Sequence, residues 1–313
     1  MKILLVNKYL YRKGGAETYF IKLGEYLKSL GNEVEYFGMA DERNCVENRV
    51  EAYTENIDFH KKSLKHITYP FKIIYSVNAR KQIRKVLSNF KPDVVHLNNF
   101  NYQLTPSIIY EIKKHNIPIV YTAHDVQLVC PNHKLKNDYT YGLCRKCDGG
   151  KYFECVKNNC VHSSKIRSIL GAVEAWYYKL RHTYKMIDLT VCPSEFMEKE
   201  ISRNDDINGR TVTMYNFIDE IKPLGAECEN YVLYFGRYSE EKGISNLVKA
   251  AKKLSNIPFV FAGKGELENE VNSADNIKNI GFKTGDELRN IIEKALFTVL
   301  PAEWSENGPF SVM

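Results

Sequence analysis

Two cations and a carboxylate give the second half of the chain its chemistry. Arg237 closes the apolar run YVLYFGR (231–237), and Lys242 stands just ahead of a helical pattern. Cations placed where a strand ends and a helix begins lie at the edge where open α/β sheets bind ligands. An arginine fork beside a lysine point charge suits a diphosphate. Further on, PAEWSENGPFSVM (301–313) follows another apolar run. Glu306 suits sugar hydroxyls, and the amides near Phe310 and Ser311, where a helix opens, suit phosphate oxygens. In the first half, Gly14 and Gly15 sit between an apolar run and a helical pattern. Such glycines let the backbone come close to an anion at a helix N-terminus. His124 ends the run IVYTAH.

Five of the eight cysteines crowd together: Cys130, Cys144, Cys147, Cys155 and Cys160. A Cys-x2-Cys knuckle at Cys144 and Cys147, with Cys155 and Cys160 as two later thiolates, can supply a tetrahedral structural zinc site. A redox-labile disulfide and unligated thiols are the competing readings. Cys45, Cys192 and Cys228 stand alone and read as inert thiols.

These residues need a scaffold, and the pattern supplies one. KILLVN (2–7) reads as a buried strand, and Ala16–Leu30 has helical spacing stopped by Gly31. Runs at 33–39, 94–99, 119–125, 189–194 and 211–216 read as further strands. After residue 217 the pattern restarts with strands at 231–237, 259–265, 277–282 and 297–303 and helical patterns between them. Strands alternating with helices imply βαβ units and parallel sheets. The expected organisation is two doubly wound α/β domains, 1–216 and 217–313, with 217–230 as a linker. The segment 130–162 is an insertion in the first, a long loop that needs a staple to be ordered.

With 44% hydrophobic and 26% charged residues, the 313-residue chain has a globular composition, which excludes disorder and coiled coil as its main theme. No apolar run reaches the roughly 20 residues that span a bilayer. The N-terminus lacks the pattern of a signal peptide, so a cytoplasmic location is expected. The net charge of +6 is unevenly spread, +10 over residues 1–216 and −4 over 217–313. Two strips, 59–93 and 163–187, mix Lys and Arg with aromatic and aliphatic residues. Basic amphipathic segments of this kind can lie on an anionic membrane surface; a solvated helix face is the alternative.

Taken together, the glycine pair after strand one, the G-R-x4-K-G segment and the E-N-G-P-F-S-V segment resemble the family-4 retaining glycosyltransferases. The resemblance covers essentially the whole chain. It implies the GT-B architecture of two Rossmann-like domains, a nucleotide-sugar donor (a UDP- or GDP-sugar) held mainly by the second domain, and an acceptor held mainly by the first. Arg237 and Lys242 would bind the donor diphosphate and stabilise the departing nucleotide. Glu306 would face the donor sugar, Gly281 and Phe282 would hold the base, Gly15 would approach the phosphates or sugar, and His124 would lie near the reacting sugar. Same-face attack assisted by the leaving phosphate needs no protein nucleophile. No catalytic metal is expected, and no paired-aspartate magnesium motif is present. Seven residues beyond Glu306 the chain reaches Met313, so the family's second glutamate would be residue 314, and a C-terminally truncated, nearly inactive transferase is expected.

The resemblance implies transfer to a saccharide or lipid-linked acceptor in surface polysaccharide synthesis, at the inner face of the membrane. Other classes stay open: another GT-B enzyme such as a sugar-nucleotide epimerase, a noncatalytic donor-binding remnant, and a basic zinc-bearing module for nucleic acid. The last lacks any recognition-helix or RNP-like signature, so nucleic acid is not expected as a partner.

Overall fold

The structure, a computed structural model, describes residues 1–56, 69–136, 142–218, 225–303 and 307–308. The chain divides into two compact units, Met1–Asn216 and Phe217–Met313.

The first unit holds strands β1 (Lys2–Val6), β2 (Glu33–Phe37), β3 (Val94–Leu97), β4 (Ile119–Thr122), β5 (Leu189–Cys192) and β6 (Thr211–Thr213). Its helices are α1 (Gly15–Ser29), α2 (Tyr69–Ile74), α3 (Val77–Phe90), α4 (Ser107–Lys114), α5 (Phe153–Lys157), α6 (Lys165–Leu180) and α7 (Glu195–Ile201). The sheet runs β2-β1-β3-β4-β5-β6 with every pair parallel. β1 is apolar from Ile3 to Val6 because both faces are covered there. Leu4 and Val6 enter one core with Phe37, Phe90, Leu97 and Tyr121. Their neighbours Ile3 and Leu5 enter the other, with Phe20, Ile21 and Tyr36. That division follows from the two-residue period of a strand.

Local signals set the helix ends. Gly31, at φ +82°, stops α1 as expected. Ser76 Oγ accepts from the Ala79 N–H at 3.1 Å to open α3, and Ser194 Oγ accepts from Met197 N–H at 3.2 Å to open α7. Among its described residues the segment 130–162 carries a 3-10 turn at Asp148–Gly150 and the short α5, and α6 follows it, packing Ala172 and Tyr178 inward.

The second unit holds β7 (Val232–Arg237), β8 (Phe259–Lys264), β9 (Ile277–Asn279) and β10 (Phe297–Thr298), with α8 (Ile244–Lys253), α9 (Glu268–Val271) and α10 (Gly285–Lys294). Its parallel sheet runs β10-β7-β8-β9. The strands expected over 211–216 and 297–303 are shorter than their apolar runs, ending at Thr213 and Thr298. Among the described residues, no helix is long and apolar enough to cross a membrane.

Candidate active site

The carboxyl ends of β7 and β8 collect positive charge. Arg237 is the last residue of β7 and lies in register opposite Lys264, the last of β8. Lys242 follows in a short 3-10 turn, Glu240–Lys242, that leads into α8 through Gly243. Gly243 has φ +70°, and a Cβ there would fall 1.9 Å from the Pro301 carbonyl oxygen, so only glycine fits. Arg237 is exposed and has no carboxylate partner among the described residues. Three cations at one sheet edge, beside the start of a helix, make an anion site.

Gly281 and Phe282 follow β9 on the same unit. Gly281 has φ +70°, and its N–H donates to Asn279 Oδ1 at 3.1 Å. That turn presents the Phe282 ring, 64% exposed, with Lys264 Nζ 5.5 Å from its centroid. The 301–303 segment is tied back onto this edge: the Glu303 N–H donates to the Glu241 carbonyl at 3.1 Å, and Asn246 Nδ2 donates to the Glu303 carboxylate. Glu306, Phe310 and Ser311 lie outside the described residues.

The strand ends of the first unit carry a different set. His124 follows β4. Its Nε2 lies 2.8 Å from Asn98 Oδ1, and its ring meets Tyr19 edge-on at 5.2 Å. Burial pulls its pKa down to about 4, so the imidazole is neutral at physiological pH. Gly14 caps α1 in extended backbone, φ −166°, and a Cβ there would make only an ordinary contact with Glu17 Oε2. The fold does not demand glycine at position 14, which leaves room for close approach of a ligand.

Sequence reasoning missed the rest of this cluster. Lys8, just past β1, donates from Nζ to Asn101 Oδ1 at 2.6 Å. Asn101 Nδ2 in turn lies 3.0 Å from His133 Nδ1, and His133 stacks on Tyr102 at 5.4 Å. Asp125 Oδ2 is 3.4 Å from His133 Nδ1. Burial works against the Asp125 charge, but His133, the Gln127 N–H and Lys8 outweigh it and hold the carboxyl below its usual range. Glu174 of α6 faces the same groups. Burial, aided by Asp125 and opposed by His133, raises its pKa to about 7. Lys8, Asn98, Asn101 and Asp125 all lie just beyond strand ends, which is the signal that would have found them. Glu174 and His133 had none.

The cysteine expectation is corrected. Cys130, Cys144, Cys147, Cys155 and Cys160 do line one small cavity. Yet among the described residues no group of three or more His, Cys, Asp or Glu side chains is disposed to hold a metal ion, so zinc at Cys144, Cys147, Cys155 and Cys160 is not supported. Burial pushes the Cys147 thiol up to about 12, and a hydrogen bond to Cys160 raises Cys155 well above the thiol range. No disulfide joins any of them.

Two parallel α/β units with ligand-type residues at their strand ends match solved glycosyltransferase structures of the GT-B fold. Anabaena Alr3699/HepE in complex with UDP and glucose superposes with a TM-score of 0.60 at 15% identity, over 98% of this chain and 76% of that one. Sucrose-phosphate synthase from Thermosynechococcus elongatus does so with a TM-score of 0.64 at 14% identity, over 99% and 77%. These likenesses concern the fold. A family profile described as Glycosyltransferase Family 4 matches residues 13–221, and one described as Glycosyl transferases group 1 matches residues 217–313. The chain belongs to glycosyltransferase family 4 and is a glycosyltransferase. It is also 26% identical to an uncharacterised 42.6 kDa protein in the cps region of Klebsiella pneumoniae, over 98% of this chain and 80% of that one.

Proposed function

We propose that this glycosyltransferase moves a sugar, with retention of anomeric configuration, from a UDP- or GDP-sugar to a saccharide or lipid-linked acceptor in surface polysaccharide synthesis. The observation that carries the donor assignment is the convergence of Arg237, Lys264 and Lys242 on one sheet edge next to the exposed Phe282 ring. Arg237 and Lys242 hold the diphosphate. As the glycosidic C–O bond breaks, negative charge grows on the departing phosphate, and fixed cations stabilise that state more than the ground state. Phe282 and the backbone at Gly281 receive the base. Glu306 faces the sugar, and the amides near Phe310 and Ser311 take phosphate oxygens.

On the acceptor side, Gly14 and Gly15 admit close backbone approach, and neutral His124 hydrogen-bonds near the reacting centre. The Lys8–Asn101–His133–Asp125 network offers donors and acceptors to saccharide hydroxyls. No protein nucleophile is invoked, because the acceptor hydroxyl attacks the face the nucleotide leaves and passes its proton to the leaving phosphate. Support for the donor class comes from HepE, whose structure holds UDP and glucose. Support for the polysaccharide role comes from the cps-region relative.

The test is direct. The chain is incubated with a panel of UDP- and GDP-sugars and oligosaccharide acceptors, and products are read by mass spectrometry and anomeric NMR. An α-linked product from an α-linked donor is expected. An inverted linkage overturns the retaining mechanism, and an epimerised sugar nucleotide with no transfer overturns the reaction class.

A further inference from the structure

The outer face of α6 is unlike that of the other helices. Ile166, Ile169, Val173, Trp176 and Leu180 are all exposed, Ile166 at 73% and Leu180 at 79%. At about 100° per residue these five fall within roughly 80° of arc, a stripe about 20 Å long. They are not the core side of the helix, because Ser168, Ala172 and Tyr178 face inward. Trp176 is held in place by donating its Nε1–H to the Gly150 carbonyl at 2.9 Å, which spends its polar atom on the protein. A continuous apolar stripe on an otherwise well-packed unit marks an interaction surface.

Its charge setting names the occupant. By the same angles, Lys165 and Lys179 flank the stripe on one side, and Arg167 and Arg181 on the other. The helix has a single acid, Glu174, and that group faces Asp125 and His133. Where α6 ends, Arg181 joins Arg80, Lys113 and Lys114 around an open concavity floored by Tyr110. Arg80 is already paired with Glu111 at 2.7 Å and Lys113 with Asp188 at 2.6 Å, and Arg181 donates to Tyr110 Oη at 3.2 Å. The rim remains cationic through Lys114, Arg181 and the helix's own Lys and Arg. Two copies meeting face to face would set these rims against each other. An anionic bilayer instead satisfies both parts at once, taking the apolar side chains below the headgroups and the cations among the phosphates.

We infer that the exposed face of α6 and the basic concavity at its end dock the first unit onto an anionic lipid bilayer. This goes beyond the transfer reaction and does not depend on which sugar is moved.

The whole chain is co-sedimented with vesicles of phosphatidylcholine alone or mixed with phosphatidylglycerol. Binding to the anionic vesicles is expected to exceed binding to neutral ones by about tenfold and to fall as salt screens the headgroups. The pair Ile166→Glu and Leu180→Glu should lower it by about tenfold, as should Lys114→Glu with Arg181→Glu. Both changes lie on exposed side chains, so the melting curve should not move. In a Trp304→Phe background, which leaves Trp176 as the one indole, anionic vesicles should shift its emission to the blue. Unchanged vesicle binding by the Ile166 and Leu180 pair overturns the proposal, as does equal binding to neutral and anionic vesicles. A dimer in vesicle-free sedimentation that the same pair dissociates would assign the face to a second copy instead. Transfer to a water-soluble acceptor should be the same in all these variants, so a failed docking test and a failed transferase assignment are told apart.

Discussion

Arg237 and Lys264 stand directly opposite each other at the ends of β7 and β8. Like charges in register on adjacent strands repel, so this edge is under electrostatic tension until an anion arrives. Lys264→Gln should therefore raise the melting temperature of the nucleotide-free protein slightly, and should shrink the further rise that UDP or GDP produces. Thermal melts with and without nucleotide read both effects. A variant that melts lower in the free state contradicts the account.

Arg237→Ala and Lys242→Ala should each cut kcat/KM for the donor by tenfold or more. Each removes a charged hydrogen bond to the diphosphate worth roughly 1.5–3 kcal/mol. Arg237→Lys should recover only part of the loss, because a point charge cannot replace a bidentate fork. Turnover of both alanine variants equal to the parent would remove this pair from the donor site.

Gly243 holds the turn from Lys242 into α8 against the Pro301 carbonyl. Gly243→Ala forces both a left-handed backbone and a clash, at a cost of about 1–3 kcal/mol. The second unit should melt earlier, and nucleotide affinity should fall with it as Lys242 is displaced. Chemical denaturation followed alongside nucleotide titration measures the two together.

Glu174 and two histidines should give the first unit opposing pH responses. Glu174 is raised to about 7, so between its unfolded value near 4.5 and 7 the folded protein holds a proton that the unfolded chain has lost. Its contribution therefore weakens stability as pH rises through that window. Glu174→Gln should stabilise the protein at pH 8, since every tenfold difference in proton affinity between the folded and unfolded chain is worth about 1.4 kcal/mol. At pH 4.5 the same substitution should make no difference. Urea melts at the two pH values decide it.

His96 and His124 work in the other direction. Burial lowers both to about 4, and His96 Nε2 is held 2.7 Å from Thr122 Oγ1. Above the unfolded value of 6.5 neither state is protonated and their stabilisation is complete. As pH falls from 6.5 toward 4 the unfolded chain takes up protons first, and stability drops. His124→Asn should flatten that acid slope. A melting profile with the same slope in parent and variant would show that His124 titrates normally.

Much of this was legible in the chain because it is local. The apolar run of β1, the Gly31 stop after α1, and Arg237 and Lys242 at a strand-to-helix junction each depend on residues close in sequence. The cluster of Lys8, Asn101, Asp125, His133 and Glu174 depends on none. Lys8, Asn101 and Asp125 share only a place just beyond strand ends that the β1-β3-β4 order brings side by side, and His133 and Glu174 come from the segment after β4. The cysteines misled for a related reason. Their spacing matches a zinc knuckle and all five line one cavity, but spacing does not fix whether the sulfurs are disposed to hold a metal, and among the described residues they are not. The short α5 of the insertion was hidden because cysteines and glycines dominate that segment, whereas α6 falls within the basic amphipathic strip 163–187.

The strand order of the second unit bears on how it is made. β7 is the first of its strands to leave the ribosome, yet it lies inside the sheet, between β8 and β10. β8 can cover one edge within a few dozen residues. The other edge waits for Phe297 and Thr298, the residues of β10 that pair with Val232 and Leu233. At a synthesis rate of about 5–20 residues per second, that wait lasts several seconds. During it a row of unpaired backbone groups on an apolar strand is open to any other extended chain nearby. Slow translation through residues 238–296, or too little chaperone, should thus lower the yield of this unit in particular.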